Sequence, residues 1–321
     1  MRLIDISKAF ATDEQCLAYL ENRRWPNGIR CTVCGAEKVS QITRKSKTKN
    51  KRAQVYQCLE PSCKAQFSAT TGTIFHDSHL PLSKWFTAVA LIVDAKKGMS
   101  ALQLSRHLDC NYRTAWYLSH RIREAMTEPD GLKLTGTIEI DETYIGGKQH
   151  NNWRKLRNKE VVMGIRERGG DLRLIHIESN IAKHLGEQIR QHVSPDAQQV
   201  ITDELPAYIP AFISAGIKGD KHRTIRHRDK VYVQGDVHTN TVESAFSLFK
   251  RGITGNFHKV SIKHLQRYLN EFSYRFNRRE DADLFEQTVS RMAGVKHLPY
   301  AKLVEQNAFT PFVRPAPKHV Q

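Results

Sequence analysis

A strand-like alternation just before the glycine pair at 146–147 is the clearest pattern in the chain. Ile138 and Ile140 fall on one face of this segment, whereas Glu139 and Asp141 fall on the other. A strand that presents carboxylates and then breaks at glycines predicts a site for a hard cation such as magnesium. The alternative is an edge strand with a solvated polar face, followed by a turn.

Further patterns predict a mixed sheet around that strand. Predicted strands cover residues 137–142, 161–166 and 171–178, and a helix at 181–192 leads to a strand at 199–203. Three antiparallel strands, a helix and a further strand give an α/β order in which the first and fourth strands are neighbours. Equivalent ends of parallel neighbours lie close together, so Asp141 and Asp203 are expected to converge.

A helical pattern beginning at Asn240, the expected N-cap, and ending at Gly252 carries a third acidic candidate. Its core stripe is Val242, Ala245, Phe246 and Phe249, and its neighbouring face holds Glu243, Ser247 and Lys250. Glu243 follows Asn240 by three residues, so it could instead be the return arm of a capping box. Because it comes after two strand-end aspartates and shares a face with Lys250, a metal-site carboxylate is the favoured interpretation.

Residues 82–127 are predicted to be helical. A helix at 82–95 precedes a short helix at 101–108, a turn at 109–111 and a longer helix at 112–126, which is the outline of a helix-turn-helix. The residues then expected near base edges are Asn111, Tyr112, Arg113, Thr114 and Tyr117, with Ser119, His120 and Arg123 further along. The alternative is a helical bundle that only packs, but the basic composition favours DNA binding.

Weaker helical patterns lie near the two ends. A short amphipathic helix at 5–20 has the apolar positions Ile6, Phe10, Leu17 and Leu20, and a final helix is expected at 261–279. Beyond residue 280 the pattern fades, and the basic, proline-rich tail after Pro311 is expected to be poorly ordered.

The charge balance points to polyanionic partners. Lys and Arg number 50 against 33 acidic residues in 321, which gives a net charge of +17. Nucleic acid is therefore the first candidate and a membrane surface the second, although no apolar run reaches membrane-spanning length. Without a secretory signal at the N-terminus, the chain is expected in the reducing cytoplasm, where paired cysteines suggest metal rather than disulfides.

Four cysteines have the spacing of a zinc ribbon. Cys31 and Cys34 form one pair, and Cys58 and Cys63 form a second pair with a wider spacing. Two such pairs can close a tetrahedral thiolate site, so a structural zinc ion is predicted. The loop between the pairs is strongly basic and is either a solvated loop or a contact for DNA phosphates. Its cations include Lys45, Lys47, Lys49 and Arg52.

The changes of pattern and composition along the chain predict four domains or segments. They are an N-terminal helix with the ribbon at 1–75, a helix-turn-helix-type domain at 76–130, an α/β catalytic domain at 131–280, and a basic C-terminal extension at 281–321.

Three motifs in this order resemble those of the DDE transposases of bacterial insertion sequences. They are Asp141 in Ile-Asp-Glu-Thr-Tyr-Ile-Gly-Gly-Lys, Asp203 in Val-Ile-Thr-Asp-Glu, and Glu243 in His-Thr-Asn-Thr-Val-Glu-Ser before Lys250-Arg251-Gly252. The chain looks most like the ISXO-like branch, which carries an N-terminal zinc ribbon. The resemblance implies a ribonuclease-H-like catalytic domain, cutting and joining of DNA at element ends, and at least a dimer on double-stranded DNA. It also implies a bacterial, nucleoid-associated enzyme.

The chemistry suits the residues independently of that resemblance. Asp141, Asp203 and Glu243 could hold two divalent ions, Mg²⁺ or Mn²⁺, for phosphodiester transfer. Lys250 and Arg251 are expected to contact the DNA backbone. His238 is a possible further contact to the DNA backbone.

The resemblance adds an alternative for the third carboxylate. Family members can carry asparagine or histidine at that position, so Asn240 is the nearby residue that could replace Glu243 as the third ligand.

Two other functions fit parts of the pattern. A stand-alone nuclease or junction resolvase on the same fold would cut without joining. A DNA-binding regulator would use the ribbon and the helices alone, but it would leave the three filled carboxylate positions unexplained.

Overall fold

A computed structural model of the chain describes residues 2–42, 54–129, 131–146, 159–225 and 236–305. The basic-loop residues Lys45, Lys47, Lys49 and Arg52 and the tail after Pro311 lie outside these ranges. No helix within the described ranges is long and apolar enough to cross a membrane.

Two helices, rather than one, form the N-terminus: α1 at Leu3–Ala9 and α2 at Asp13–Arg24. The break lies at Thr12, which caps α2 in a reciprocal capping box with Gln15. The apolar face was predicted correctly, because Ile6, Phe10, Leu17 and Leu20 are all buried.

The ribbon is a small antiparallel sheet of β1 at Val39–Gln41, β2 at Tyr56–Cys58 and β3 at Gln66–Phe67. Its core is small, with Tyr56 and Phe67 buried beside Cys31 and Cys58. Trp25, which follows α2, packs on the rings of Tyr56 and Phe67.

Three helices follow at the predicted places: α3 at Leu82–Asp94, α4 at Ala101–Leu108 and α5 at Tyr112–Ala125. Ser100 caps α4 by accepting the amide of Gln103 at 3.1 Å, and Asn111 caps α5. The turn between them is tight because Asp109 adopts the left-handed conformation, with φ of 46°.

A five-stranded sheet forms the centre of the second half of the described chain. Its elements in chain order are β4 at Thr137–Gly146, β5 at Lys159–Glu167, β6 at Leu172–Ile177, α6 at Ala182–His192, β7 at Gln199–Thr202, α7 at Tyr208–Ala215 and β8 at His222–Thr224. The strand order is β6-β5-β4-β7-β8. β4, β5 and β6 are antiparallel, whereas β7 pairs parallel to β4 and β8 parallel to β7. The predicted order and the pairing of the first and fourth strands are confirmed.

Helices cover both faces of this sheet. One face packs against α6 and α7, with Ile138 and Ile140 in the shared core. The other packs against α8 at Asn240–Gly252 and α9 at Leu265–Asn277. Gly252 is the last α-helical residue, and the chain continues directly into a π-helical turn at Ile253–Phe257.

The C-terminal helices return to the N-terminal half. Residues expected in a basic extension form α10 at Leu284–Gly294 and α11 at Tyr300–Val304. Phe285, Val289 and Met292 of α10 are buried in one hydrophobic core with α1 to α5. This helical body therefore contains segments from both ends of the chain.

Candidate active site

Asp141 lies in β4 on the face of the sheet that α8 covers. It pairs across the antiparallel ladder with Gly164 of β5. A Cβ atom at Gly164 would lie 2.6 Å from Phe246 Cζ and 2.7 Å from Val242 Cγ2. The glycine therefore lets α8 approach the strand beside Asp141.

Asp203 comes directly after β7, the parallel neighbour of β4. The register pairs Glu139 with Ile201, so Asp141 and Asp203 each lie two residues beyond that pair. Both aspartates also act electrostatically on the same half-buried carboxyl, that of Glu142. The parallel pairing thus brings the two strand ends together as the sequence predicted.

Glu243 lies in the first turn of α8. Thr239 Oγ1 donates a hydrogen bond to Glu243 Oε1 at 2.8 Å, and the Glu243 amide donates to the Thr239 carbonyl at 3.1 Å. The predicted N-cap is wrong by one residue: Thr239 is the N-cap, and Asn240 is the first helical residue. Thr239 makes no side-chain bond to a helix amide, so the bond that a capping box requires is not formed there.

A cleft of about 510 Å³ opens between β4 and α8. Asp141 and Glu243 line it together with Ser247, Lys250 and Arg251. The helical spacing that predicted a shared face for Glu243, Ser247 and Lys250 is confirmed. The carboxylates of this cleft could hold metal ions, and its cations could contact a phosphodiester backbone.

Glu142 is an acidic group of this region that the sequence reasoning did not single out. Burial, together with the charges of Asp141 and Asp203, raises its pKa to about 8, although a hydrogen bond from the Tyr208 hydroxyl acts to lower it. Burial and the Glu142 carboxylate, with smaller contributions from Asp141 and Asp203, raise the pKa of Tyr208. The strand period carried the signal, because Glu142 shares its face with Ile138 and Ile140 and so points into the core.

Glu139 shares a face with Asp141, as predicted, but it is fully buried. Its carboxylate accepts hydrogen bonds from the start of α8 and from Arg168. His238, a possible DNA contact in the sequence, lies in the same cluster, with Nδ1 3.1 Å from Arg168 Nη2. Sequence reasoning missed Arg168 entirely, because it lies in the turn after β5 with no motif around it.

The four ribbon cysteines converge. Their sulfur atoms all lie within 4.8 Å of one another, with Cys31 and Cys63 3.7 Å apart and Cys34 and Cys58 3.6 Å apart. Zinc–sulfur bonds of about 2.3 Å in a tetrahedron require sulfur–sulfur distances of roughly 3.8 Å. The cysteines therefore have the spacing that a tetrahedrally coordinated zinc ion requires.

The protonation of Cys31 also favours a metal ligand. Burial alone would raise its pKa, but hydrogen bonds to its sulfur from the amides of Cys34 and Val33 outweigh that effect. With the neighbouring thiols, they lower the pKa of Cys31 to about 6, whereas burial and hydrogen bonds with the same thiols raise the pKa of Cys58 to about 12. The thiolate that binds metal therefore forms first at Cys31.

No other group of three or more such ligand atoms lies as close together in the described ranges. Asp141, Asp203 and Glu243 do not form such a group. A two-ion centre fits wider spacing, because its ligands must surround ions that are themselves about 3.5–4 Å apart.

The residues expected near base edges divide into two groups along α5. Asn111, Tyr112, Arg113 and Thr114 are exposed at its start. Tyr117 is half-buried, and its hydroxyl donates to the Leu298 carbonyl at 2.5 Å.

Further along α5 the expectation is wrong, because Ser119, His120 and Arg123 are buried. Arg123 Nε donates to Glu271 Oε2 of α9 at 2.6 Å, and the His120 ring packs on His264. This part of α5 faces another helix and not DNA.

Two family descriptions match the sequence. Residues 133–277 match an ISXO2-like transposase domain, and residues 11–66 match a transposase zinc-ribbon domain. Together they cover more than half of the chain.

A protein relative agrees with these matches. The chain is 29% identical over 289 residues to an uncharacterized protein in transposable element ISH50 of Halobacterium salinarum, covering 84% of this chain and 92% of the relative.

Solved structures give a distant likeness. The Mos1 strand transfer complex matches with a TM-score of 0.29 and 9% identity, covering 65% of this chain and 75% of that one. A pre-cleavage Mos1 transpososome matches with a TM-score of 0.25 and 12% identity, covering 64% and 77%.

Proposed function

This chain belongs to the ISXO2-like transposase family, and we propose that it cuts DNA at insertion-sequence ends and joins them to target DNA at a two-metal centre. The observation that carries the proposal is the cleft in which Asp141 and Glu243 lie with Lys250. Asp203 supplies a third carboxylate from the neighbouring strand. The order of three antiparallel strands followed by two parallel ones supports the ribonuclease-H-like fold that the family resemblance implies.

Asp141, Asp203 and Glu243 are the residues that would hold Mg²⁺ or Mn²⁺, because carboxylate oxygens suit hard cations. When bound, two such ions activate an attacking oxygen and stabilise a leaving oxygen. Glu243 is preferred to Asn240 as the third ligand, because Glu243 lines the cleft with Asp141.

The reaction proceeds in two transfers. Water first attacks a phosphodiester at the element end, and the bond that breaks releases a 3′-hydroxyl. That hydroxyl then attacks a target phosphodiester and displaces a target 3′ oxygen. Lys250 and Arg251, which are exposed in the cleft, bind and orient the phosphate backbone in both steps.

DNA is bound outside the cleft by the ribbon and by the start of α5. Arg113 and Thr114 are exposed there and would reach base edges, with Tyr117 bordering them. The cations Lys45, Lys47, Lys49 and Arg52 would contact phosphates and add affinity that depends on salt.

A structural zinc ion held by Cys31, Cys34, Cys58 and Cys63 would stabilise the ribbon, whose own core is small. Because two element ends must be brought together for joining, the active species would contain at least two copies of the chain.

Replacing Asp141 with asparagine tests the proposed two-metal centre. It removes a ligand charge with little change of shape, so metal-dependent cleavage of a labelled end duplex should fall by at least about a hundredfold. Binding of the same duplex, measured by gel shift, should stay within about twofold. The matched control is Asp220→Asn, an exposed aspartate just before β8 at the opposite end of the parallel strands. Wild-type cleavage by Asp141→Asn would show that the metal centre lies elsewhere.

A further inference from the structure

The start of α8 is capped by a distant part of the chain. Its N-cap, Thr239, makes no side-chain hydrogen bond to a helix amide. The first turn of any helix exposes amide groups that need acceptors. Here a carboxylate of β4, that of Glu139, provides them.

One oxygen of Glu139 accepts the hydrogen bonds from the first turn of α8. Glu139 Oε2 accepts the amide of Thr241 at 2.9 Å, the amide of Val242 at 3.1 Å and the hydroxyl of Thr241 at 2.7 Å. A carboxylate at this place is favoured twice, because it satisfies the amides and opposes the positive end of the helix dipole.

The other oxygen is held by basic groups. Arg168 Nε donates to Glu139 Oε1 at 2.7 Å, and His238 Nδ1 lies 3.2 Å from the same oxygen. The same guanidinium donates to the carbonyl groups of Asp236 and His238, at 2.7 and 3.0 Å. Arg168 thus ties both Glu139 and the segment before α8 to one point.

The Glu139 carboxylate is itself fixed in place. Its strand is paired on both sides, with Arg166 opposite on β5 and Ile201 opposite on β7. The side chain is fully buried, so neither water nor DNA reaches it.

We propose that Glu139 is a positioning residue that sets the place of Glu243 relative to Asp141. Asp141 lies two residues after Glu139 on the same strand and face, and Glu243 directly follows the capped Val242. One carboxylate therefore fixes the distance between a strand ligand and a helix ligand. The inference rests on the proposed role of Asp141 and Glu243 as metal ligands.

A merely structural role would lower stability without changing the metal site, so the test must separate the two. The variant is Glu139→Gln in the full chain, which keeps the size of the side chain and removes its charge. The matched control is Glu160→Gln, because Glu160 is a carboxylate of the same sheet that contacts a histidine, His176, at 2.7 Å.

The first measurement is amide hydrogen exchange in the zinc-loaded protein, without added Mg²⁺ or Mn²⁺. Exchange at Thr241 and Val242 should be about tenfold faster in Glu139→Gln, because the amides lose a charged acceptor, and unchanged in Glu160→Gln. Unchanged exchange in Glu139→Gln would overturn the proposal.

The second measurement is a Mn²⁺ titration, followed by electron paramagnetic resonance and by cleavage of end DNA. The half-saturating concentration should rise about tenfold or more in Glu139→Gln, while affinity for the end DNA stays within about twofold. Faster exchange with an unchanged Mn²⁺ midpoint would also overturn the proposal, because the cap would then have no effect on the metal site.

Two further arms keep the outcomes distinct. If Glu139→Gln fails to fold, Thr241→Val removes only the hydroxyl donor and should shift exchange and the Mn²⁺ midpoint in the same direction by less; no shift would count against the proposal. If the wild-type chain does not cleave, the proposed function fails, whereas the exchange and Mn²⁺ binding measurements still decide the role of Glu139.

Discussion

At the scale of residues, three carboxylates of one strand have three different environments. Glu139 is buried as a helix cap, Asp141 lines the cleft, and Glu142 is half-buried and contacts the Tyr208 hydroxyl. The strand period predicted that Glu139 and Asp141 share a face. It could not predict that Glu139 is buried, because its partners at residues 241–242 are about a hundred positions away in the chain.

Gly164→Ala tests how closely α8 must approach the strand. The added methyl group would overlap Phe246 and Val242 and force α8 away from Asp141. We expect the free energy of unfolding to fall by about 1–3 kcal/mol in urea titrations, with weaker metal-dependent cleavage. Gly219→Ala is the control, because a Cβ there meets no atom within 4 Å. Equal stability of the two variants would contradict the close packing.

At the scale of elements, α5 shows where a sequence pattern stops being sufficient. The helix, its start at Tyr112 and its cap at Asn111 follow from local sequence. The polar residues of its second half look like DNA contacts when α5 is considered alone. They are buried because α9 packs there, and the guanidinium of Arg123 pairs with Glu271 of that helix.

The same packing predicts a pH dependence of stability. Burial lowers the pKa of His120 far below its usual value, and Arg123, His264 and Arg267 add to the effect. The folded chain therefore keeps His120 neutral, whereas the unfolded chain binds a proton below about pH 6.5. Because the unfolded state binds more protons, the free energy of unfolding should fall by up to about 2 kcal/mol from pH 7 to pH 5.

Thermal unfolding of wild type and His120→Leu at the two pH values measures this contribution. The drop in melting temperature should be smaller in the variant, since leucine does not titrate. An equal drop would mean that His120 does not contribute. Burial, with Lys263, Arg267 and Arg123, lowers the pKa of neighbouring His264 to about 4, so part of the drop should remain.

At the scale of the whole molecule, the two halves of the chain are joined through helices. α10 completes the core of the N-terminal helices, and the buried pair Arg123–Glu271 joins α5 to α9. The far end of α8 also meets the helical body, because a Cβ at Gly252 would lie 2.8 Å from the Lys97 carbonyl oxygen. The helix that carries Glu243 therefore touches both the sheet and the helical body.

Removing the C-terminal helices tests this architecture. A chain ending at Glu280 loses the buried Phe285, Val289 and Met292, which should destabilise the helical body by on the order of 5 kcal/mol. Limited proteolysis should then cut within α1 to α5, and helical circular dichroism should fall. A chain ending at Glu305 keeps both helices and serves as the control. A stable, protease-resistant chain ending at Glu280 would mean that α10 is dispensable.

The sequence predicted those parts whose signals are local or follow from strand order. The order of the first four strands of the five-stranded sheet, the cysteine cluster and the shared face of Glu243 and Lys250 were predicted, whereas the edge strand β8 was not. The return of α10 to the N-terminal core was not, because an amphipathic helix does not reveal which surface it covers. The cap formed by Glu139 was also missed, because it depends on a contact between distant segments of the chain.

The most direct test of the central claim is a strand-transfer assay. It uses a labelled duplex bearing the DNA that flanks this gene, a target plasmid, and Mg²⁺ or Mn²⁺. Wild type and Asp196→Ala, an exposed aspartate before the start of β7, should form joined product only with metal. Asp203→Ala should form none while still binding the duplex. Cleavage without joining by wild type would indicate a nuclease, and joining by Asp203→Ala would contradict the proposed metal centre.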